Sequence, residues 1–228
     1  MNKGLSLVEL LVSMTISSIL ILSLFSMNML SAGTYTEVRD SWYCMQSLRN
    51  ALLKLDLDLA QCACLMPQDL KIALADHQLF IAGIPVTSSH SVLRLPNKYP
   101  PPLYSVVLSS YDHTLILDTI DIDYDSVPDY WAGLGIITDS GPFVIPHTYS
   151  RGNTLIPVTA EVTPTAGDRT VPAIHYKLKS DGLYRNADLI AEAVNGFDMT
   201  MEEDILTIHL QAGYNHVQKQ LSYPVVIK

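Results

Sequence analysis

Met1-Asn2-Lys3-Gly4-Leu5-Ser6-Leu7-Val8-Glu9-Leu10-Leu11-Val12 opens a run of apolar and small polar residues that continues to about Leu30. Within the 26 residues of Leu5–Leu30, Glu9 is the one formal charge. A helix rises about 1.5 Å per residue, so about 20 such residues cross the hydrocarbon core of a bilayer. The segment is long enough to span. Lys3 precedes it, and Arg39 and Asp40 follow it. The preference of basic residues for the cytoplasmic side places the short leader inside and the rest of the chain outside.

Glu9 is the residue that needs explaining. A carboxylate at the centre of a membrane helix costs about 3 kcal/mol on the insertion scale. One reading puts Glu9 near the membrane interface, where it favours the positive end of the helix dipole. The other gives it a partner or a function inside the apolar layer.

Gly4 followed by Leu5-Ser6-Leu7-Val8-Glu9-Leu10-Leu11-Val12 resembles the class III signal of type IV prepilins. The resemblance implies that a prepilin peptidase cuts between Gly4 and Leu5 and methylates the new amino terminus on Leu5. Glu9 then matches the family's glutamate at the fifth mature position. The family most often has Phe where this chain has Leu5. The resemblance also implies the partners: other minor and major pilins, the inner membrane and an assembly platform. Physically, cleavage frees an α-amino group four residues, about 6 Å, from Glu9. In a bundle of such helices the Glu9 carboxylate can face the amine of a neighbour. Two charges costly in an apolar core then offset each other and set axial register, while an unmatched one is penalised. Two rivals stay open: a secretory signal cleaved near Ser31-Ala32-Gly33, and a plain single-pass anchor.

No proline occurs between Met1 and Met66. Beyond the membrane segment Met45, Leu48, Leu52, Leu55, Leu59 and Cys62 recur in steps of three and four, a helical stripe, with Asp40, Arg49, Lys54, Asp56 and Asp58 as polar positions around it. Pro67 is the first clear stop. One helix is therefore expected from Leu5 to about Leu65. Where many major pilins have a proline, this chain has Ser26; the helix is read as straight there, or with Gly33 as its soft point. Cys44 and Cys62 are 18 residues apart, about 27 Å along a helix, and cannot bridge within it. Free core thiols and an intersubunit disulfide are the two readings for Cys44, Cys62 and Cys64.

From about Leu79 prolines and glycines become frequent and apolar runs shorten to strand length. The expected strands are 79–82, 91–95, 104–109, 114–124, 135–138, 143–145, 154–158, 173–178, 197–201, 205–211 and 220–227, with a hairpin at Ile174–Arg185 turning at Ser180-Asp181-Gly182. Pro100-Pro101-Pro102 marks an extended loop. The order Gly182-Leu183-Tyr184-Arg185, then Val194-Asn195-Gly196-Phe197, resembles the end of PilW-type minor pilins and of the J-type minor pseudopilins of type II secretion. It implies a minor subunit. The expected fold class is α+β, a pilin-like lollipop with a long N-terminal helix packed on a β-rich globular head. The expected organisation is a leader over 1–4, a transmembrane and filament-core helix over 5–30, its continuation over 31–66, and a periplasmic head over 67–228.

Bulk composition agrees. The 228 residues are 48% apolar and 16% charged, which suits a packed core rather than disorder. A net charge of −9, without a run of Lys or Arg, disfavours nucleic acid as a partner. Asp121, Asp123 and Asp125 are weak calcium candidates. An EF-hand beginning at Asp121 needs glycine at 126 and glutamate at 132, where the chain has Ser126 and Ala132. Alternation with Ile120, Ile122 and Tyr124 reads instead as the solvated face of a strand. Asp139-Ser140-Gly141-Pro142 is read as a turn rather than a nucleophile. The histidines show no HExxH pairing, and no nucleotide-binding glycine loop is present. No cofactor and no enzymatic activity are expected. A membrane-anchored periplasmic binding protein or hydrolase is the alternative of another class.

Overall fold

The computed structural model describes residues 7–62, 67–83, 104–111, 114–117, 130, 132–150, 152–153, 155–157 and 164–227. Gly4, Leu5, Cys64, the expected strand at 91–95, the proline loop and the aspartates Asp121, Asp123 and Asp125 lie outside the described residues.

Helix α1 (Leu7–Gln61) runs unbroken for 55 residues, about 80 Å. Gly33 interrupts nothing: it is helical, with open space where a side chain would stand. A lone glycine lowers helix propensity by about 1 kcal/mol, too little to break so long a run of hydrogen bonds.

The head is built of antiparallel strands: β1 (Ile72–Ala75), β2 (Gln78–Ala82), β3 (Ser105–Tyr111), β4 (Thr114–Leu117), β5 (Gly135–Thr138), β6 (Gly141–Val144), β7 (Leu155–Pro157), β8 (Arg169–Lys179), β9 (Gly182–Arg185), β10 (Asp188–Ala191), β11 (Val194–Glu202), β12 (Ile205–Tyr214) and β13 (Val217–Val226). With α1 they form the expected α+β lollipop. Strand β8 organises the larger sheet, pairing with β2, β3, β5 and β9. A second sheet is the meander β11-β12-β13.

Strands β5, β8, β12 and β13 stand where periodicity placed them, the last three longer than expected. Strand β1 was not foreseen. It turns into β2 through Asp76 and His77, both with left-handed φ of 45° and 57°. That is the backbone of a two-residue hairpin turn usually announced by Asn-Gly or Asp-Gly, so its usual sequence signal is missing. Strand β10, likewise unforeseen, follows the left-handed Asn186.

The main core joins Cys44, Leu48, Ala51 and Leu55 of α1 to Leu79 and Ile81 of β2, Tyr176 of β8, and Phe197, Leu206 and Ile208 of the second sheet. The helix thus closes over both sheets. The buried face of α1 is rotated from the expected stripe: Met45 is 39% exposed, while Asp40 and Asp58, taken as outward polar positions, are buried at 6% and 5% exposure.

Candidate functional site

Two halves of α1 do different things. From Leu7 to Arg39 every residue is exposed, on all sides of the helix. A helix apolar all round is not designed to face water; it is buried in protein or in lipid. This one is long and apolar enough to cross a membrane, and none of that stretch is covered by the head. Its hydroxyls are dealt with locally. Ser13, Thr15, Ser17, Ser18, Ser23 and Ser26 each donate to a carbonyl one turn back, at 2.8–2.9 Å. No hydroxyl among these needs an external partner, so the surface presented is effectively apolar. Glu9 lies in the first described turn of this half.

The other half is fastened to the head by buried polar pairs. Asp58 receives two bonds from Arg185 of β9, Nε to Oδ2 at 2.6 Å and a terminal nitrogen to Oδ1 at 2.8 Å. The Tyr176 hydroxyl of β8 donates to the same Oδ2 at 2.5 Å. The carboxylate thus ties α1 to two strands. The Asp58 carboxylate raises the Arg185 pKa above its ordinary value. Burial, and then the adjacent Asp58 charge, pushes the Tyr176 phenol well above its usual range, so it stays a donor.

Five turns earlier, Asp40 holds the β12–β13 turn. Asn215, left-handed at φ 54°, donates its side-chain amide to Asp40 Oδ2 at 2.7 Å, and Arg39 donates to Oδ1 at 3.0 Å. The amide of Asn215 and then Arg39 hold the Asp40 carboxyl below its ordinary value. Tyr43 donates to Glu192 and Tyr223 to Asp56, both at 2.8 Å. Cys44 is buried, its thiol 3.8 Å from the Val217 carbonyl and pushed up in pKa by burial. The Cys62 thiol donates to the Lys71 carbonyl at 3.2 Å.

The segments singled out near the C-terminus take part in this attachment. Gly182 has φ +143°, and a Cβ there would strike the Ala191 carbonyl and the backbone of Glu192. Leu183 is wholly buried. Tyr184 donates to Asp181 at 2.5 Å and carries the Lys179 ammonium 3.8 Å above its ring. Arg185 makes the bond to the helix. In the second segment Val194 and Phe197 enter the core, and the register shifts between Val194 and Gly196. A Cβ at Gly196 would come within 2.8 Å of Gln211 Cβ. Sequence reasoning found Arg185 and missed its partner, Asp58. The signal was present: Asp40 and Asp58 are 18 residues apart, five full turns, on the same face as Cys44 and Leu55.

Asp139 and Ser140 form the β5–β6 turn, as read. The Ser140 hydroxyl donates to Asp168 at 2.5 Å, and Arg169 is paired with both Asp69 and Asp139. Among the described residues no group of three or more His, Cys, Asp or Glu side chains is arranged to hold a metal ion.

Residues 1–25 match the family model of the prokaryotic N-terminal methylation motif, which is typical of type IV prepilin-like proteins. Comparison with curated proteins and with solved structures finds no match. The matched residues run from Met1 into the exposed apolar half of α1. Together they support a type IV pilin- or pseudopilin-like protein with a candidate membrane anchor.

Proposed function

We propose that this chain is a minor type IV pilin: a structural or initiation subunit, cleaved between Gly4 and Leu5, methylated on Leu5, and built into a pilus by its N-terminal helix. The observation that carries the reading is the methylation motif of residues 1–25, standing on a half-helix that the head leaves uncovered. Before assembly the helix is a single-pass anchor in the inner membrane, with the head in the periplasm. On extraction the same apolar surface exchanges lipid for the helices of neighbouring subunits. Glu9 supplies the carboxylate that meets a neighbour's Leu5 amine, because an ion pair in an apolar bundle restricts the axial register. The partners are a prepilin peptidase, other minor and major pilins and the assembly platform. The head catalyses no reaction in this reading.

The Gly182–Arg185 and Val194–Phe197 segments favour a minor subunit, and they favour a J-type pseudopilin of type II secretion as the second reading. Mass spectrometry of the N-terminus, in cells that contain a prepilin peptidase, tests the proposal. A chain beginning at methylated Leu5 is expected. A chain beginning at Met1 or Thr34 overturns it in favour of a membrane-anchored binding protein or hydrolase. Deletion then separates the two assemblies: loss of pili marks the minor pilin, loss of secretion with pili intact marks the pseudopilin.

A further inference from the structure

The β11-β12-β13 sheet has two unlike faces. Phe197, Leu206, Ile208 and Leu210 turn inward, to the core shared with α1. The opposite face is exposed or half-exposed at every alternate position along the three strands. In register, Asp198 of β11 stands opposite His209 of β12, and His209 opposite Ser222 of β13. The next row is Gly196, Gln211 and Gln220, and beyond it Gln218 stands opposite Gly213. Neighbouring strands are about 4.8 Å apart and successive rows about 7 Å, so these side chains form a grid of hydrogen-bonding groups.

A hollow opens in this grid, lined by Gly196, Asp198, His209, Gln211, Gln220 and Ser222. Gly196 gives it depth: a Cβ there would come within 2.8 Å of Gln211 Cβ. The groups around it are held in place by one another. The His209 Nδ1 and the Ser222 hydroxyl share a hydrogen bond of 2.9 Å. The Gln211 amide donates to Gln218 Oε1 at 3.3 Å. Asp198 Oδ1 accepts the Met199 N–H at 2.9 Å, and the His77 imidazole stands 3.7 Å from the same oxygen. Asp198 Oδ2, His209 Nε2 and the Gln220 amide have no hydrogen-bond partner among the described residues and stand free at the hollow. Side chains fixed before binding lose less rotamer freedom on binding, which separates this face from one of long, mobile charged groups.

The donor and acceptor set defines the ligand. The outward positions of the three strands carry no Lys or Arg, and by alternation Lys219 belongs to the other face, so a phosphate, sulfate or carboxylate finds no fixed cation here. They carry no Phe, Tyr or Trp, so an aromatic ligand finds no ring to stack on. A carboxylate that accepts from two donors, a hydroxyl and imidazole that both donate and accept, and planar amides that do both at once suit a ligand made of neighbouring neutral hydroxyls. We propose that the outward face of the β11-β12-β13 sheet, around Asp198, His209, Gln211 and Gln220, binds a neutral oligosaccharide. The face is opposite the one that meets α1, so the inference goes beyond the filament-subunit reading and does not depend on which assembly the helix enters.

The test uses the full chain in fluorescent phosphatidylcholine liposomes, which present many copies and so retain weak ligands. They are applied to a glycan array that spans neutral and anionic oligosaccharides. Retention on at least one neutral glycan is expected. Asp198→Ala and Gln220→Ala should each lower it at least ten-fold, with the melting temperature unchanged because both side chains face water, while Lys54→Gln on α1 binds as the natural chain does. A diazirine derivative of the retained glycan should label peptides within 194–226 of the unaltered chain. That arm needs no variant, and labelling confined to other peptides overturns the proposal. Retention on no neutral glycan, on anionic glycans alone, or to the same extent in all three variants overturns it as well.

Discussion

Asp58 of the long helix and Arg185 of β9 meet in a two-bond ion pair 127 residues apart in sequence, with side chains only 6% and 17% exposed. This pair, with Tyr176, is where the rod is bolted to the head. A buried pair adds little net stability over a well-packed apolar one, but breaking it from one side strands a charge.

Replacing Arg185 with Met leaves Asp58 buried without its cation, and Asp58→Leu strands Arg185. Each single change should cost about 3–5 kcal/mol. The double variant Asp58→Leu with Arg185→Met should recover most of that loss, because both charges go together. Denaturant unfolding of the full chain in detergent measures all four states of this cycle. Additive losses would show that the two residues do not act as a pair.

Acid should weaken the head through His175. Its ring is 6% exposed and stacked on Phe80, its Nδ1 has no hydrogen-bond partner among the described residues, and burial lowers its pKa to about 4. The unfolded chain binds the proton near pH 6.5, the folded one only near pH 4. Between those values the unfolded state holds more protons, so stability falls as pH falls, by about 3 kcal/mol in total, and levels off below the lower value. His175→Phe should remove the pH dependence in this window. The hydrogen-bonded carboxylates Asp69, Asp139 and Asp168 have lowered pKa values and lose their contribution at still lower pH, so the two effects separate in a stability-versus-pH curve.

Gly182→Ala should destabilise the head by about 2 kcal/mol or more. The residue sits at φ +143°, and the new methyl group would meet backbone atoms, which cannot swing aside as a side-chain tip can. Gly167→Ala is the comparison: it has φ +100° but open space around it, so only the conformational term of about 1 kcal/mol applies. Thermal unfolding of the two variants separates clash from backbone preference.

Glu9→Leu should leave membrane insertion and cleavage intact while reducing incorporation into filaments about ten-fold or more, since an unmatched amine in an apolar bundle costs well above 1.4 kcal/mol. Quantitative immunoblotting of sheared filaments against membranes reads the ratio. Normal incorporation would remove the ion pair from the assembly mechanism.

The membrane-length segment and the helix were legible because they depend on local, one-dimensional properties. An apolar run has a length, a glutamate has a fixed distance from a glycine, and a proline-free stretch of good helix formers stays helical whatever surrounds it. Strands such as Gly135–Thr138 announced themselves by short apolar runs between turn residues. Strand β1 did not, because Asp76 and His77 adopt left-handed conformations that their side chains do not advertise.

The sequence by itself determined that this chain has a prepilin-like N-terminal motif, a membrane-length helix continuing beyond it, and a β-rich remainder. Tertiary structure alone decided which side of that helix is inner and which is outer. Leu52 and Leu55 are equally apolar in sequence, and Asp56 and Asp58 equally charged, yet Leu55 and Asp58 are buried while Asp56 is exposed. Hydrophobicity specifies that one face be covered, but only the position of Arg185 and Tyr176, delivered by the pairing of β8 with β9, makes burial of an aspartate cheaper than its exposure. That choice leaves Trp42, Leu53 and Leu57 exposed on the far side.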